Sequence, residues 1–165
     1  MKRFKHILAT TDLSSESMSA VQYAAHLAQA QNARLTVLHV AHSLSLAYAE
    51  FVPPVSMADI DLAIEKSARE ELEKWVRSHL KKVPRVDAVV RRGVTHEVIA
   101  DVAEEIGASV VVVATHGRKG VGRMVLGSVA EQVIRHAPCP VLVVKPPAPP
   151  KRKKKVVRKK KPARK

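Results

Sequence analysis

Short apolar segments alternate with longer helical patterns along this chain. Five short segments are rich in Val, Leu, Ile or Ala, which is typical of buried strands, and they cover residues 4–9, 34–41, 85–91, 110–114 and 140–144. Four longer segments carry the apolar stripes of helices, and they cover residues 14–31, 56–82, 95–106 and 128–136. This alternation predicts a single α/β domain with a doubly wound, mainly parallel, five-stranded sheet.

Local signals delimit the predicted helices. A serine cluster beginning at Ser14 offers hydroxyl caps for the first helix, and Asn32 stands where its C-terminus is expected. Thr95 is the expected N-cap of the third helix and Gly107 its stop. The segment 42–55, which contains two prolines, predicts a loop.

The search for a ligand site narrows to the carboxyl ends of the strands. In doubly wound sheets, ligands bind there, where the strand order reverses. The longest such connection, 115–127, is rich in glycine and lies between a buried strand and a helix that begins at Ser128. Close backbone approach, donating amides and a helix N-terminus suit a phosphate. The alternative is a surface loop whose glycines only satisfy turn geometry.

Two well-known nucleotide motifs are absent from the chain. Gly117 and Gly122 have the spacing of a P-loop, but Arg123-Met124 follows instead of Lys and Ser or Thr. The first strand is not followed by the Gly-x-Gly-x-x-Gly dinucleotide fingerprint. Asp12 at the end of that strand is a candidate ligand-binding carboxylate, or else a residue that caps the next helix. No nucleophile stands with a paired base, so the pattern favours binding over catalysis.

The charge of the chain is concentrated at its C-terminus. The net charge is +14, and 11 of the 29 Lys and Arg residues lie in 151–165, which holds no acidic residue. Residues 1–150 therefore carry only 18 basic against 15 acidic residues. Four prolines in 146–150 predict a polyproline spacer. We expect a globular domain at 1–145, followed at 146–165 by the spacer and a disordered polybasic tail.

The tail indicates a second class of partner. Clustered cations bind nucleic acid or polyphosphate by releasing counterions, with little sequence preference. The tail has no aromatic residue, so stacking on single-stranded bases is not expected. A solubilising extension without a specific partner is the alternative.

The hydropathy pattern and the cysteine content favour a cytoplasmic protein, and the histidine spacing bears on metal binding. No apolar run reaches the roughly 18 residues of a membrane span, and the N-terminus lacks the pattern of a signal peptide. Cys139 is the single cysteine, so no internal disulfide is possible. The eight histidines show no metal-ligand spacing with Cys139, and no metal site is predicted.

The segment after the fourth strand carries a family resemblance. Ala114-Thr115-His116-Gly117 is followed after nine residues by Gly127-Ser128, and the chain then runs into Pro138-Cys139-Pro140 and the last strand. This pattern resembles the universal stress protein family, whose nucleotide signature is Gly, two residues, Gly, nine residues, Gly, then Ser or Thr. The resemblance extends over the globular part and leaves out the tail. It implies a fold similar to the adenine nucleotide alpha hydrolases, which is Rossmann-like.

The resemblance implies a site for ATP, or for ADP or AMP, with Mg²⁺. The candidate residues of this site are Asp12, Val40, Ala114, His116, Gly117, Gly127, Ser128 and Val129, of which His116 is included for its place in the glycine-rich connection. Asp12 would accept hydrogen bonds at the ribose or adenine end, and the Val40 backbone would meet the adenine edge. The glycines, the Ser128 hydroxyl and the Val129 amide would hold the phosphates. His116 would touch phosphate or serve the turn.

Ala114 departs from the signature, because it stands at the first glycine position. A methyl group is tolerable there if the position needs only close packing. If the position needs a positive φ, alanine costs about 1 kcal/mol or more. The family also includes members that bind no nucleotide.

The resulting expectation is an adenine-nucleotide sensor or scaffold of the stress response, with at most slow ATP hydrolysis. The resemblance also implies a homodimer that forms through the last strand, Pro140 to Val144, because an edge strand is a template for pairing. The tail would tether the protein to nucleic acid, and thereby to the nucleoid. The alternative function is a polyanion-binding protein whose domain is only a dimerisation platform without nucleotide.

Overall fold

The computed structural model describes residues 3–41, 54–115 and 126–145, and at 54–58 only the helical backbone. The described strands are β1 (His6–Thr11), β2 (Arg34–Ala41), β3 (Val86–Arg92), β4 (Val110–Ala114) and β5 (Val141–Val144). The described helices are α1 (Ser15–Gln31), α2 (Pro54–His79), α3 (Thr95–Glu105) and α4 (Ser128–His136). Strand and helix alternate as the sequence predicts.

The five strands form one parallel sheet in the order β3-β2-β1-β4-β5. The chain moves outward from β1 through β2 to β3, and it then returns to the other side of β1 to add β4 and β5. The strand order therefore reverses between β1 and β4, which defines the switch point of the sheet. The predicted doubly wound α/β fold is confirmed.

Helices cover both faces of the sheet. Ile7 and Ala9 of β1 belong to the core on the α1 and α2 face, whereas Leu8 belongs to the core under α3 and α4. The buried residues of α1 include four alanines, Ala20, Ala24, Ala25 and Ala28. These small side chains let α1 pack close to the central strands. The four valines of β4 are buried alternately on both faces, as expected for a central parallel strand.

The structure confirms some predicted boundaries and corrects others. Ser14 caps α1 by accepting from the Ser17 amide, and Asn32 ends that helix in the left-handed conformation with a φ of 51°. Thr95 is the first helical residue of α3 and not its cap, because Val94 occupies the N-cap position without a side-chain hydrogen bond. Gly107 ends the α3 segment with a φ of 60°.

The second helix and the first strand are shifted from their predicted positions. Helix α2 begins at Pro54, a residue that is well tolerated in a first turn, and it ends at His79. The predicted loop therefore ends before Pro54, and its residues 42–53 lie outside the described part. Strand β1 begins at His6 and continues to Thr11 because its pairing with β2 extends to His39. None of the described helices is long and apolar enough to cross a membrane.

Candidate functional site at the switch point

The candidate site lies beyond the carboxyl ends of β1 and β4. Asp12 follows β1 directly and Thr115 follows β4 directly. The two strands are parallel neighbours, paired from Ile7 with Val110 to Ala9 with Val112. Their ends therefore open at the same edge of the sheet, between the starts of α1 and α4. This is the edge at which the sequence predicts the ligand site.

A collar of hydroxyl groups holds the Asp12 carboxylate. Asp12 Oδ1 accepts hydrogen bonds from Ser14 Oγ and Ser17 Oγ, each at 2.5 Å, and from the Ser14 amide at 3.1 Å. Charge-assisted hydrogen bonds of this kind are short and comparatively strong. Three donors on one oxygen orient the carboxylate against the first turn of α1. We call Ser14 and Ser17 the serine collar.

The backbone beneath the collar adopts a conformation that few side chains adopt. Leu13 has a φ of 65°, in the left-handed region. Its amide donates to Thr11 Oγ1 at 3.0 Å, and the buried Thr11 hydroxyl also lies 2.9 Å from Ser17 Oγ. The Asp12 amide donates to Ser17 Oγ at 3.2 Å. These bonds fix the turn that presents Asp12.

The sequence pattern predicts the serines as caps for α1 and does not predict their contact with Asp12. The available signal is the spacing, since an Asp side chain commonly accepts from the amide two residues later. Asp12 and Ser14 have that spacing. Ser17 could not be found in this way, because it reaches back from the third residue of the helix.

His39 joins β2 to the end of β1. Its Nδ1 donates to the Thr11 carbonyl oxygen at 2.8 Å, and the ring is partly buried. Val40, the next residue, is 7% exposed and packs into the core beneath α3 and α4. The Val40 side chain is therefore occupied by core packing, and the resemblance implies a contact through the backbone of this residue.

The second side of the site begins at Thr115. The Thr115 amide donates to the Val144 carbonyl oxygen at 2.9 Å, and its own carbonyl oxygen accepts from the Gly127 amide at 2.9 Å. The two ends of the glycine-rich connection therefore meet at the end of β4. His116 and Gly117, two of the predicted site residues, lie outside the described residues.

Gly127 provides the N-cap of α4. It is extended, with φ −64° and ψ 149°, and it makes no side-chain cap hydrogen bond because it has no side chain. Ser128 is the first residue of α4 and is exposed; it is therefore not the cap that the sequence suggested. Val129 is 45% exposed. The amides of this first turn carry the partial positive charge of the helix, and no side chain caps them.

Ala114 adopts ordinary strand backbone. It is the last residue of β4 and pairs with Val144, and the non-glycine residues with positive φ in the described part are Leu13 and Asn32. Its methyl group packs beside the core on the α1 face. Alanine therefore causes no backbone strain at the position where the signature has its first glycine.

Comparison with known proteins identifies the family. The sequence profile of the universal stress protein family matches residues 3–145. The chain belongs to the universal stress protein family. A curated relative, universal stress protein A homolog 1 of Coxiella burnetii, is 36% identical over 142 residues, which cover 86% of this chain and 96% of the relative.

Solved structures share the fold of this universal stress protein. The structure of protein MJ0577 superposes with a TM-score of 0.75 at 26% identity, covering 87% of this chain and 97% of that chain. A universal stress protein in complex with cAMP superposes with a TM-score of 0.58 at 22% identity, covering 87% and 98% of the two chains. The second similarity shows the fold alone.

Proposed function

We propose that this universal stress protein binds ATP, or ADP or AMP, at the switch point and acts as a nucleotide-responsive sensor or scaffold. The observation that carries the proposal is the hydrogen bond from Gly127 to Thr115. It holds the start of α4 at the end of β4, beside the strand that presents Asp12. An anion-binding helix start and an oriented carboxylate then share one edge of the sheet.

The two ends of a nucleotide would meet different chemistry in this arrangement. The Asp12 carboxylate would accept hydrogen bonds from the hydroxyl groups of a ribose, and the Val40 backbone would meet the adenine edge. The phosphates would lie at the α4 start, against the Val129 amide and the Ser128 hydroxyl and close to the Gly127 backbone, with Gly117 and His116 contributing from the connection. Ala114 packs without strain at the base of the site.

The charge of a triphosphate implies Mg²⁺, and the residues fit this ion. Mg²⁺ prefers oxygen ligands and is commonly held by phosphates and a few protein oxygens. The Ser128 hydroxyl is exposed at the α4 start and suits this purpose. The ion would neutralise the phosphates, while Asp12 stays at the ribose end. The known complex of a family member with cAMP supports an adenine nucleotide as the ligand class.

The proposed output is a conformational signal and not a reaction. Within the described residues, burial raises the pKa of the Cys139 thiol, which disfavours a reactive thiolate. We expect slow ATP hydrolysis at most. Strand β5 lies at an edge of the sheet and all four of its residues are only partly buried, which supports a homodimer through the last strand.

The polybasic tail at 151–165 extends this proposal. Its eleven cations favour nucleic acid or polyphosphate, so the sensor domain would be tethered in the cytoplasm to the nucleoid. The second candidate function follows from the same charge. In that reading the tail binds polyanions and the domain at 1–145 serves only as a dimerisation platform.

The decisive experiment identifies what the purified protein carries. Protein prepared without added nucleotide is denatured, and the released ligands are identified by chromatography and mass spectrometry. A variant whose eleven tail cations are replaced by Gln is processed in parallel, because cations retain nucleotides nonspecifically. Near-stoichiometric adenine nucleotide in both samples supports the sensor. If no nucleotide is released and calorimetry with ATP and Mg²⁺ shows no binding, the sensor function is refuted.

Two pairs of variants locate the site. Asp12→Asn and Ser128→Ala are expected to weaken ATP binding about tenfold or more, since the first removes the carboxylate charge and one acceptor oxygen and the second removes a hydroxyl. The matched controls are Asp87→Asn, at the opposite end of the sheet, and Ser19→Ala, on the outer face of α1. If Asp12→Asn and Ser128→Ala leave the ATP affinity unchanged, ATP does not bind at the switch point.

The salt dependence of DNA binding tests whether the tail tethers the protein to nucleic acid. Binding of the full chain to duplex DNA should fall with a log–log slope of about −0.9 per neutralised phosphate. The Gln-substituted tail should abolish this binding and leave ATP affinity unchanged. Binding that is insensitive to salt would contradict the tether.

A further inference from the structure

Two histidines from different helices meet on the outer face of the α3 and α4 layer. His96 lies in the first turn of α3 and His136 is the last residue of α4. Their ring centroids are 5.1 Å apart and the ring planes are inclined at 46°. His96 is partly buried and His136 is exposed, so the pair is accessible from solvent.

The pair is held by packed elements. Helices α3 and α4 contact each other, and Ile99 and Val102 of α3 share one buried cluster with Ala130 and Val133 of α4. The backbones that carry the two rings are therefore fixed relative to each other. A ligand that needs both imidazoles would find them already in place.

A hydrogen bond selects the tautomer of His136. Its Nδ1 lies 2.8 Å from the Gln132 carbonyl oxygen, which can only accept, so Nδ1 carries the proton. In the neutral ring, Nε2 then holds the lone pair. Histidines that bind metals typically donate their other N–H to a carbonyl or carboxylate in this way.

The separation of the rings matches a shared metal ion. Zinc lies about 2.0–2.1 Å from an imidazole nitrogen, and thus roughly 3.2 Å from the ring centroid. Two imidazoles at a tetrahedral angle therefore place their centroids about 5 Å apart. The observed 5.1 Å fits this value.

We propose that His96 and His136 form a two-histidine site for a divalent transition ion of the Zn²⁺ class. Among the described residues no three His, Cys, Asp or Glu side chains gather as a metal centre, so water completes the coordination. The affinity is accordingly weaker than that of four-ligand structural zinc sites. The partial negative charge at the end of α4 favours the cation, and the partial positive charge at the start of α3, next to His96, opposes it.

The site would link the metal to the rest of the molecule through α4. Helix α4 begins at Ser128, beside the switch point, and ends at the metal ligand His136. A bound ion cross-links this helix to α3 and stabilises the layer that α4 belongs to. The proposal does not depend on nucleotide binding, since none of the candidate nucleotide residues takes part.

The test uses the full chain, freed of metal with a chelator and returned to a buffer that does not bind metals. Calorimetry with ZnCl₂ gives the dissociation constant, and urea unfolding then reports on stability. With free Zn²⁺ at ten times that constant, the ratio of folded to unfolded protein should rise about 11-fold. His96→Gln and His136→Gln should each abolish both the calorimetric binding and the stabilisation.

His79→Gln provides the control, since His79 stacks on Trp75 on α2, away from the pair. This variant should bind Zn²⁺ like the wild type. Because calorimetry is done on the folded protein, a small loss of stability in the variants does not obscure the result. Zinc binding that survives either His96→Gln or His136→Gln, or that is lost in His79→Gln, would overturn the proposal. Absence of binding to the wild-type chain would also overturn it.

Discussion

Ser17 Oγ lies 2.5 Å from Asp12 Oδ1, although the two residues belong to different elements. Asp12 stands in the turn after β1, and Ser17 is the third residue of α1. The same hydroxyl oxygen accepts from the Asp12 amide at 3.2 Å. Ser17 therefore ties both the carboxylate and the backbone of Asp12 to the helix, and it is 5% exposed.

Ser17→Ala should both destabilise the protein and loosen Asp12. Loss of a buried hydroxyl that bonds to a carboxylate costs about 1–3 kcal/mol in the free energy of unfolding. Urea unfolding measures this cost. If Asp12 binds nucleotide as proposed, the ATP affinity of the folded variant should also fall, which titration calorimetry records.

Ser19→Ala is the matched control. Ser19 Oγ donates to the Glu16 carbonyl oxygen on the exposed side of α1 and does not take part in the collar. Its removal should change the unfolding free energy by less than about 0.5 kcal/mol. Equal effects of the two substitutions would contradict a special role for Ser17.

Ala114→Gly tests whether the departure from the family signature matters. Because Ala114 has ordinary strand φ, restoring glycine relieves no strain. Glycine in a strand instead costs roughly 0.5–1 kcal/mol, through the entropy of the unfolded chain. The expected result is a small loss of stability by urea unfolding and an ATP affinity within about twofold of the wild type. A gain in stability, or a large gain in affinity, would show that the methyl group obstructs the site.

The strands and the place of the candidate site could be predicted from the sequence because their signals are local. The β-branched run of β4 and the apolar run of β2 end where the hydrogen-bonded ladder ends. Asp12 is a candidate from the sequence because a carboxylate at a strand end is a local feature. The residue type of Asn32 likewise predicts the left-handed cap that the structure shows there.

The features that were missed depend on contacts between distant positions or on side-chain geometry. The His96–His136 pair joins residues 40 positions apart, and no spacing rule connects them. Thr95 is a good cap by residue type, but the chain entering α3 turns at Gly93, with a φ of 141°, and puts Val94 at the cap position. The serine collar requires the turn at Leu13, whose left-handed backbone is not favoured by a leucine.

Arg92 anchors α2 to the edge of the sheet. It forms ion pairs with Asp61 at 3.4 Å and with Glu65 at 3.1 Å, and Glu65 also pairs with Arg69. The Asp61 side chain is only 8% exposed. Arg92→Met keeps the alkyl stem and removes the charge, so it should lower the unfolding free energy by about 1–3 kcal/mol.

Arg77→Met is the control for that substitution. Arg77 pairs with Glu73 within α2, and both side chains are exposed. Exposed pairs of this spacing contribute only about 0.3–0.5 kcal/mol. Urea unfolding of both variants compares the two. A loss at Arg92 no larger than that at Arg77 would show that the burial of Asp61 adds nothing.

His6 should make the stability of the protein depend on pH. Burial lowers the pKa of His6, and the neighbouring Arg34 guanidinium lowers it further, against the opposing effects of the Ile106 carbonyl and Asp87. The neutral ring fits its surroundings, since Nδ1 donates to the Ile106 carbonyl oxygen and Nε2 accepts from the Thr36 hydroxyl. Protonation turns Nε2 into a donor, so the Thr36 hydroxyl can no longer donate to it.

The sign of the effect follows from the lowered pKa. Between the folded pKa and the unfolded value of about 6.5, the unfolded chain binds the proton more readily. The His6 contribution is therefore complete above about pH 6.5, and it is lost as the pH falls from there toward the folded pKa. Urea unfolding at pH 7.5, 6.5 and 5.5 should show this decline in the wild type. His6→Gln, which does not titrate, should show a shallower decline over the same range, and an unchanged slope would assign the dependence to other groups.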